Sequence, residues 1–352
     1  MYVSGLATAV PSRSFTQPEC WEALARADRP ELNARTRAIL QGILTHDNGI
    51  ERRSLALDSL DEGFDLDADT LHRRFSTHAP RLASEAARRA VGRAHLDAAS
   101  VDAVVVSTCT GYLCPGLTSY VAEALGLRSD VLPLDLVGQG CAAALPNLRT
   151  AEALLASQRA GTVLSVCVEV CSAAMYLDDD LGVLVSACLF GDGAAAAVLT
   201  ARPGDGVRRV RWRAGESAIA PEHRDALRFE TRGGRLRNIL TLPVPRLAAE
   251  HARAVLESAL ARAELPREAI AGWVMHAGGR RVLQEVRGAL ALDERDLRHS
   301  AAVLAEYGNL SSPFVLFVLE RALREGAPGG LWWMSSFGAG FSCHGALLEV
   351  AT

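Results

Sequence analysis

A single cysteine stands between a Gly-rich turn and a run of alanines in residues 135–148, DLVGQGCAAALPNL. A cysteine that only fills space needs no such setting, whereas one that reacts does. The small neighbours Gly140 and Ala142 to Ala144 clear room for a thioester around Cys141. A helix opening there would offer free N–H groups and the positive end of its dipole, which favour the thiolate of a group that otherwise titrates near ~8.5. A buried cysteine at a tight helix–strand crossing would leave a similar trace, so Cys141 needs partners to be read as a nucleophile. His276 ends a buried run, WVMH, and is followed by AGG, which leaves its imidazole facing open space. It can take the thiol proton and then stabilise the thiolate. Asn309, in EYGNLSS, precedes a helical pattern, where Asn is also a favoured N-cap. Together His276 and Asn309 supply two uncharged donors to one carbonyl oxygen, which suits an enolate or oxyanion. A Cys–His–Asp hydrolase would put a carboxylate in the third position. An uncharged amide suits the decarboxylation of a malonyl thioester, because no fixed anion repels the departing carboxylate. The carbanion can then attack an acyl group held on Cys141, forming a carbon–carbon bond.

One absence narrows the chemistry further. The chain contains no lysine, so all 37 of its Lys and Arg residues are arginines. Schiff-base chemistry and a phosphate-loop lysine are thereby excluded, and arginine stays protonated and cannot act as a general base. Acid–base work falls on His, Cys, Asp or Glu. The eight cysteines lack a secreted framework pattern and read as reduced and cytoplasmic. The pairs Cys109/Cys114 and Cys167/Cys171 have no completing Cys or His set, so no metal site is expected.

The elements that must position these residues alternate strand and helix, the pattern of an α/β fold. Strands are expected at 102–108, 162–169, 194–200, 272–276, 330–336 and 344–350. Helices are expected at 83–96, 142–157, 246–263, 280–290 and 311–325, each with apolar residues at helical spacing. Residues 201–212, ARPGDGVRRVRW, read as a linker. On its two sides the same element order recurs, with VVVSTCTG matched by WVMHAGG and GQGCAAALPNLRTAEALL by YGNLSSPFVLFVLERAL. Two related halves are therefore expected, 1–205 carrying the cysteine and 206–352 carrying the histidine and asparagine. In such a duplication, matching strand and helix ends converge near one pseudo-twofold axis. The 352 residues, 49% hydrophobic and 22% charged, are enough for about two domains around a large core. A net charge of −4 gives no nucleic-acid footprint. No apolar run reaches the ~18 residues of a membrane span, and the start, MYVSGLATAVPSRSF, lacks the pattern of a signal peptide.

GQGCAAALPNLRTAEALL, CLFGDGAAAAVL, WVMHAGGRRVL, YGNLSSPFVLFVLE and SSFGAGFSCHGALLEV, in this order, resemble a chalcone-synthase-like type III polyketide synthase. The likeness covers most of the chain from about residue 101. It implies a thiolase fold, duplicated α/β halves in a layered αβαβα arrangement, and a homodimer. It also implies Cys141 as nucleophile, with His276 and Asn309 as thiolate partner and decarboxylation donors. Substrates would be malonyl-CoA and an acyl starter, with no further cofactor. Phe190 matches the gatekeeper aromatic between the coenzyme A tunnel and the cavity. FGAGF matches the cavity-shaping GFGPG loop, bringing in Phe337 and Gly338, with Ala339 in place of Pro. The stretches STCTGYLCPGLTSYVAEALGL and GGRLRNIL resemble bacterial alkylresorcinol and alkylpyrone synthases. Cys109, Thr110, Cys114, Cys171 and Ser186 fall at cavity-lining positions, and their small size leaves room for a long alkyl starter, although small residues also serve plain core packing. The family's N-terminal Lys and Arg for coenzyme A phosphates are missing from LQGILTHDNGIERRSL, where only Arg52 and Arg53 are basic. Either arginines elsewhere hold the phosphates or the starter arrives on an acyl carrier protein. A single-condensation or chain-joining ketosynthase like β-ketoacyl-carrier-protein synthase III would use the same three residues. A Cys-dependent thioesterase or amidase is the reading from another class, and a non-catalytic scaffold would have no use for the three together.

Overall fold

The computed structural model describes every residue except 28, 30, 31 and 205–207. The strands are β1 (Tyr2–Ala9), β2 (Ser14–Thr16), β3 (Arg52–Ser54), β4 (Ala103–Ser107), β5 (Leu132–Leu136), β6 (Thr162–Glu169), β7 (Gly193–Thr200), β8 (Val210–Ile219), β9 (Leu227–Arg232), β10 (Arg235–Leu240), β11 (Ile270–Met275), β12 (Gly330–Gly338) and β13 (Ser342–Val350). The helices are α1 (Gln17–Arg26), α2 (Ala34–Thr45), α3 (Ala68–Arg93), α4 (Leu117–Leu125), α5 (Ala144–Ala156), α6 (Leu181–Leu189), α7 (Val244–Ala263), α8 (Arg280–Ala289), α9 (Arg298–Tyr307) and α10 (Phe314–Arg324). Among the described residues no helix is long and apolar enough to cross a membrane.

Nine strands run in the order β11-β12-β13-β8-β1-β7-β6-β4-β5, joined at the middle by two residue pairs between β1 and β8. Outward from that seam the two blocks follow one plan. β1/β7 and β7/β6 are antiparallel and β6/β4 parallel; β8/β13 and β13/β12 are antiparallel and β12/β11 parallel. The expected duplication is thus borne out in strand direction as well as in element order. Of these nine strands β5 lacks a counterpart.

The layers follow from which helix faces are apolar. α10 carries six consecutive buried residues, Phe314 to Leu319, and a helix apolar on all sides belongs in the interior. It touches β1 and β7 in one block and β11 and β12 in the other, while α5 touches β4 and β6 as well as β12 and β13. These two helices form a shared middle layer. α3 covers the outer face of β1, β6 and β7, and α7 that of β8, β12 and β13. The result is a helix–sheet–helix–sheet–helix stack.

Several expectations need correction. The helix expected at 83–96 is the second half of the 26-residue α3, whose Pro80 interrupts the sequence signal. The expected linker ends in a strand: residues 210–212 open β8, and Trp212 is buried. The boundary expected at 205/206 lies outside the described residues. The helix expected from 311 begins at Phe314.

Candidate active site

Cys141 follows β5, in a 3-10 turn over Gly140–Ala142 that precedes α5. Gly140 has φ +53, and a Cβ there would come within 3.2–3.3 Å of Ala339. The turn is clamped by β12, where Ser336 Oγ donates to the Ala142 carbonyl at 3.2 Å. A Cβ on Gly338 would lie 2.5 Å from the Gln139 carbonyl oxygen and 2.6 Å from the Ala142 nitrogen. Gly338 therefore seats the nucleophile turn by close backbone approach. The Cys141 thiol accepts a hydrogen bond from Ser311 Oγ at 3.2 Å. The expected lowering of its pKa is not found. The helix proper starts three residues later, and burial pushes the thiol up to about 12, against the lowering effect of the Ser311 hydroxyl.

His276 follows β11, and its backbone N–H donates to the Ser335 carbonyl at 2.9 Å. Its ring stands edge-on to Phe314 at 5.2 Å and to Phe337 at 5.0 Å. Among the described residues neither Nδ1 nor Nε2 has a hydrogen-bond partner, although the residue is only 2% exposed. Burial in this apolar surround pulls the imidazole down to about 3. Asn309 is equally buried, but it does not cap a helix. Its backbone bridges to Phe190: its N–H donates to the Leu189 carbonyl at 2.8 Å, and its carbonyl accepts from the Gly191 N–H at 3.0 Å. Its Oδ1 accepts from the Ser311 N–H at 2.9 Å, which turns Nδ2 toward the Gly278 carbonyl at 3.3 Å. One Nδ2 hydrogen remains for a ligand.

Cys141, His276 and Asn309 line one cavity, together with Phe190 and Phe337. The ends of β5, of β11 and of the α9–α10 link thus converge there from both halves. Phe190 and Cys141 also line a second, inner cavity, with Cys109, Thr110, Cys171 and Ser186. Phe190 stands at the junction of the two. Cys109 and Thr110 line a third cavity as well, which runs on past Phe75 to the exposed Tyr112 and Val137. Two expected lining residues lie elsewhere. Gly338 lines none of these cavities and packs behind the turn instead. Cys114 is exposed and also lines none of them. Thr110 Oγ1 is tied to Glu169 and to the Val170 N–H, and beyond it the chain turns outward.

Three features escape a reading of the sequence. Glu169, at the buried end of β6, accepts from Ser312 Oγ at 2.5 Å, Thr110 Oγ1 at 2.8 Å and the Cys109 N–H at 3.0 Å. Cys109 Sγ also donates to it at 3.3 Å. Burial raises the carboxyl pKa against these donors. Ser311 links this network to the nucleophile, since its hydroxyl lies 3.5 Å from Cys109 Sγ as well as 3.2 Å from Cys141 Sγ. A lone Glu closing the apolar run VLSVCV was the available signal. The third feature is the β9–β10 hairpin, which supplies Leu227, Phe229 and Asn238 to the inner cavity. Arg53 is no phosphate ligand: it is buried and donates to Gln17 Oε1 and to the carbonyls of Ala187 and Phe190.

Comparison with known proteins agrees along the whole length. Residues 72–214 match the family FAE1/Type III polyketide synthase-like protein, and residues 216–349 match the chalcone and stilbene synthases, C-terminal domain. The chain is 31% identical over 361 residues to the 3,5-dihydroxyphenylacetyl-CoA synthase of Streptomyces toyocaensis, covering 99% of this chain and 89% of that one. It is 32% identical over 353 residues to the 1,3,6,8-tetrahydroxynaphthalene synthase of Streptomyces peucetius subsp. caesius, covering 99% and 92%. Among solved structures, the 1,3,6,8-tetrahydroxynaphthalene synthase of Streptomyces coelicolor A3(2) superposes with TM-score 0.90 at 26% identity over the full length of both chains. PKS-I from the brown alga Ectocarpus siliculosus does so with TM-score 0.90 at 28% identity, covering 99% and 98%.

Proposed function

The chain belongs to the type III polyketide synthase family, and we propose that Cys141 carries its acyl intermediates while His276 and Asn309 drive decarboxylation of malonyl-CoA. It is an acyltransferase of that family. In the first step Cys141 Sγ attacks the carbonyl of an acyl thioester, His276 takes the thiol proton, and coenzyme A leaves as the thiol. Malonyl-CoA then binds with its thioester oxygen between the imidazole and the free Asn309 Nδ2 hydrogen. The bond to the carboxylate breaks, carbon dioxide leaves, and the electron pair forms an enolate held by two uncharged donors. The enolate carbon attacks the acyl carbon on Cys141, the C–S bond breaks, and a β-ketoacyl-CoA is released for reloading. The observation that carries this reading is the unpartnered, buried imidazole in one cavity with Cys141 and Asn309.

For the starter we favour a long fatty acyl chain, extended and cyclised to an alkylresorcinol or alkylpyrone. The support is that three cavities share lining residues in series, Cys141 and Phe190 between the outer and inner ones, and Cys109 and Thr110 between the inner and third. A starter derived from malonyl-CoA itself is the second reading. It is favoured by the polar groups of Thr110, Ser186 and Asn238 on the inner wall, and by relatives named for hydroxylated aromatic products. Arg280 and Arg281 line the outer cavity. They would hold coenzyme A phosphates in place of the missing N-terminal cations, although Arg280 already pairs with Asp47. Transfer from an acyl carrier protein is the alternative carrier. All eight cysteines are free, which fits a reducing, cytoplasmic setting.

The test incubates decanoyl-CoA and malonyl-CoA with wild type and with Cys141→Ala, and reads protein and products by mass spectrometry. We expect a decanoyl adduct and extended ring products from wild type only, with turnover in the variant down at least about 10³-fold. Extended product from the variant would remove Cys141 from the mechanism. A single β-keto product would instead indicate a one-step ketosynthase, and free acid alone a thioesterase.

A further inference from the structure

The β9–β10 hairpin walls all three cavities, and its register orders what each one meets. Leu227 pairs with Leu240, Phe229 with Asn238 and Thr231 with Leu236. Because side chains alternate along a strand, Leu227, Phe229 and Thr231 share one face with Leu236, Asn238 and Leu240. Along that face Leu240 reaches the outer cavity, Asn238 the inner one and Leu236 the third. Of the six, Asn238 and the exposed Thr231 are polar, and of these two Asn238 lines a cavity. It is 8% exposed, and its Nδ2 lies 3.0 Å from Ser186 Oγ, on α6 one turn before Phe190. Among the described residues neither Asn238 Oδ1 nor the Ser186 hydroxyl hydrogen has another side-chain partner. Turning the amide by 180° exchanges its oxygen and nitrogen, yet in either orientation the pair presents at least one donor to the cavity. A largely buried amide and hydroxyl beside Leu227 and Phe229 gain from hydrogen bonds that a group in the cavity can complete.

We propose that Asn238 and Ser186 form a docking pair for the β-keto oxygen of the extended chain, and thereby set how many malonyl units are added. This rests on the polyketide synthase reading. A saturated starter has no oxygen beyond its thioester, so the pair gives it nothing. After one condensation and reloading on Cys141, the chain carries a ketone at C3, which accepts a hydrogen bond from the pair. The extended chain is then held for further condensation rather than released, and a longer poly-β-keto chain is bound in one fold.

The experiment compares wild type with Asn238→Leu, Ser186→Ala and Ser186→Thr. Each is given decanoyl-CoA with malonyl-CoA, and malonyl-CoA alone. Two quantities are read: the rate of Cys141 acylation by intact mass, and the ratio of products containing two or more malonyl extensions to those containing one. Losing one hydrogen bond of ordinary strength predicts an about tenfold drop in that ratio for Asn238→Leu and Ser186→Ala, with acylation falling far less. Ser186→Thr keeps the hydroxyl and should hold the ratio near wild type. If Asn238→Leu does not fold, Ser186→Ala against Ser186→Thr decides. A ratio equal to wild type in a folded Ser186→Ala or Asn238→Leu overturns the docking role, as does acylation that falls in parallel with the ratio. A wild type that is acylated but never incorporates malonyl units overturns the polyketide reading, and the pair's role with it.

Discussion

His276 is where the site is most exposed to pH. An imidazole in an unfolded chain titrates near ~6.5, whereas burial holds the folded one at about 3. Between those values the unfolded chain binds a proton that the folded chain does not, so stability rises with pH across the window. The contribution is complete above the unfolded value and is lost as pH falls toward the folded one. At pH 5, 1.5 units below the unfolded value, the loss is about 2 kcal/mol. We therefore expect His276→Gln to narrow the difference in unfolding free energy between pH 7.5 and pH 5 by about 2 kcal/mol, measured by urea titration at both pH values. An unchanged difference would mean that the folded imidazole titrates near the unfolded value and gains nothing from its burial. Burial of each group by itself favours the neutral forms, since it moves the thiol up and the imidazole down.

The elements place these groups through contacts too close for an added methyl. Gly338, near the end of β12, is the sharpest case, because the two nearest atoms that a Cβ would strike belong to the backbone of the Cys141 turn. Neither can rotate away, so Gly338→Ala must move the turn. Overpacking of this kind costs about 1–3 kcal/mol, and a shift of about 1 Å at a nucleophile can cost about 10²-fold in rate. We expect Cys141 acylation in Gly338→Ala to fall by about that factor while the protein still folds, followed by stopped acylation reactions and intact mass. Acylation at the wild-type rate would show that the strand yields instead. Much of this level was legible in the chain: VLSVCVE, GLWWMSS and HGALLEV are near-continuous apolar runs, and they are buried strands. Cys141, His276 and Asn309 could be placed at element ends for the same reason. What stayed hidden was set by tertiary contact. The hairpin RFETRGGRLRNIL alternates arginine with apolar residues, and nothing local says that its apolar face walls a cavity. Asn309 precedes a helix as an N-cap would, yet its side chain bonds Ser311 and Gly278 and keeps one Nδ2 hydrogen for the cavity. Glu169 acquires its donors from residues about 60 and 143 positions away, and no local pattern records such pairings.

At the scale of the whole molecule the sheet order leaves β5 and β11 as edges, and β5 is the one without a counterpart in the other half. β5 is also poorly covered. Leu132 is 41% exposed, and just beyond the strand Val137 is 65% exposed, near Tyr112 at 72% on the wall of the third cavity. An exposed edge with large apolar side chains is a surface that proteins normally cover. Pro133 within β5 argues against cover by simple strand addition, since it has no N–H to donate. Side-chain packing against a second copy of the chain meets the need, in line with the homodimer that the family resemblance implies. Such an interface should bury at least about 1,200 Å². We therefore expect light scattering at micromolar concentration to give twice the chain mass for wild type, and one chain mass for Leu132→Asp/Val137→Asp with its circular dichroism intact. Because Val137 and Tyr112 line the third cavity, the monomeric variant should also leave that cavity open to water. Its products should then shift toward hydrolysed free acids, with Cys141 acylation reduced less than ring formation. A double variant that stays dimeric would place the contact elsewhere, and a monomeric wild type would leave this edge uncovered.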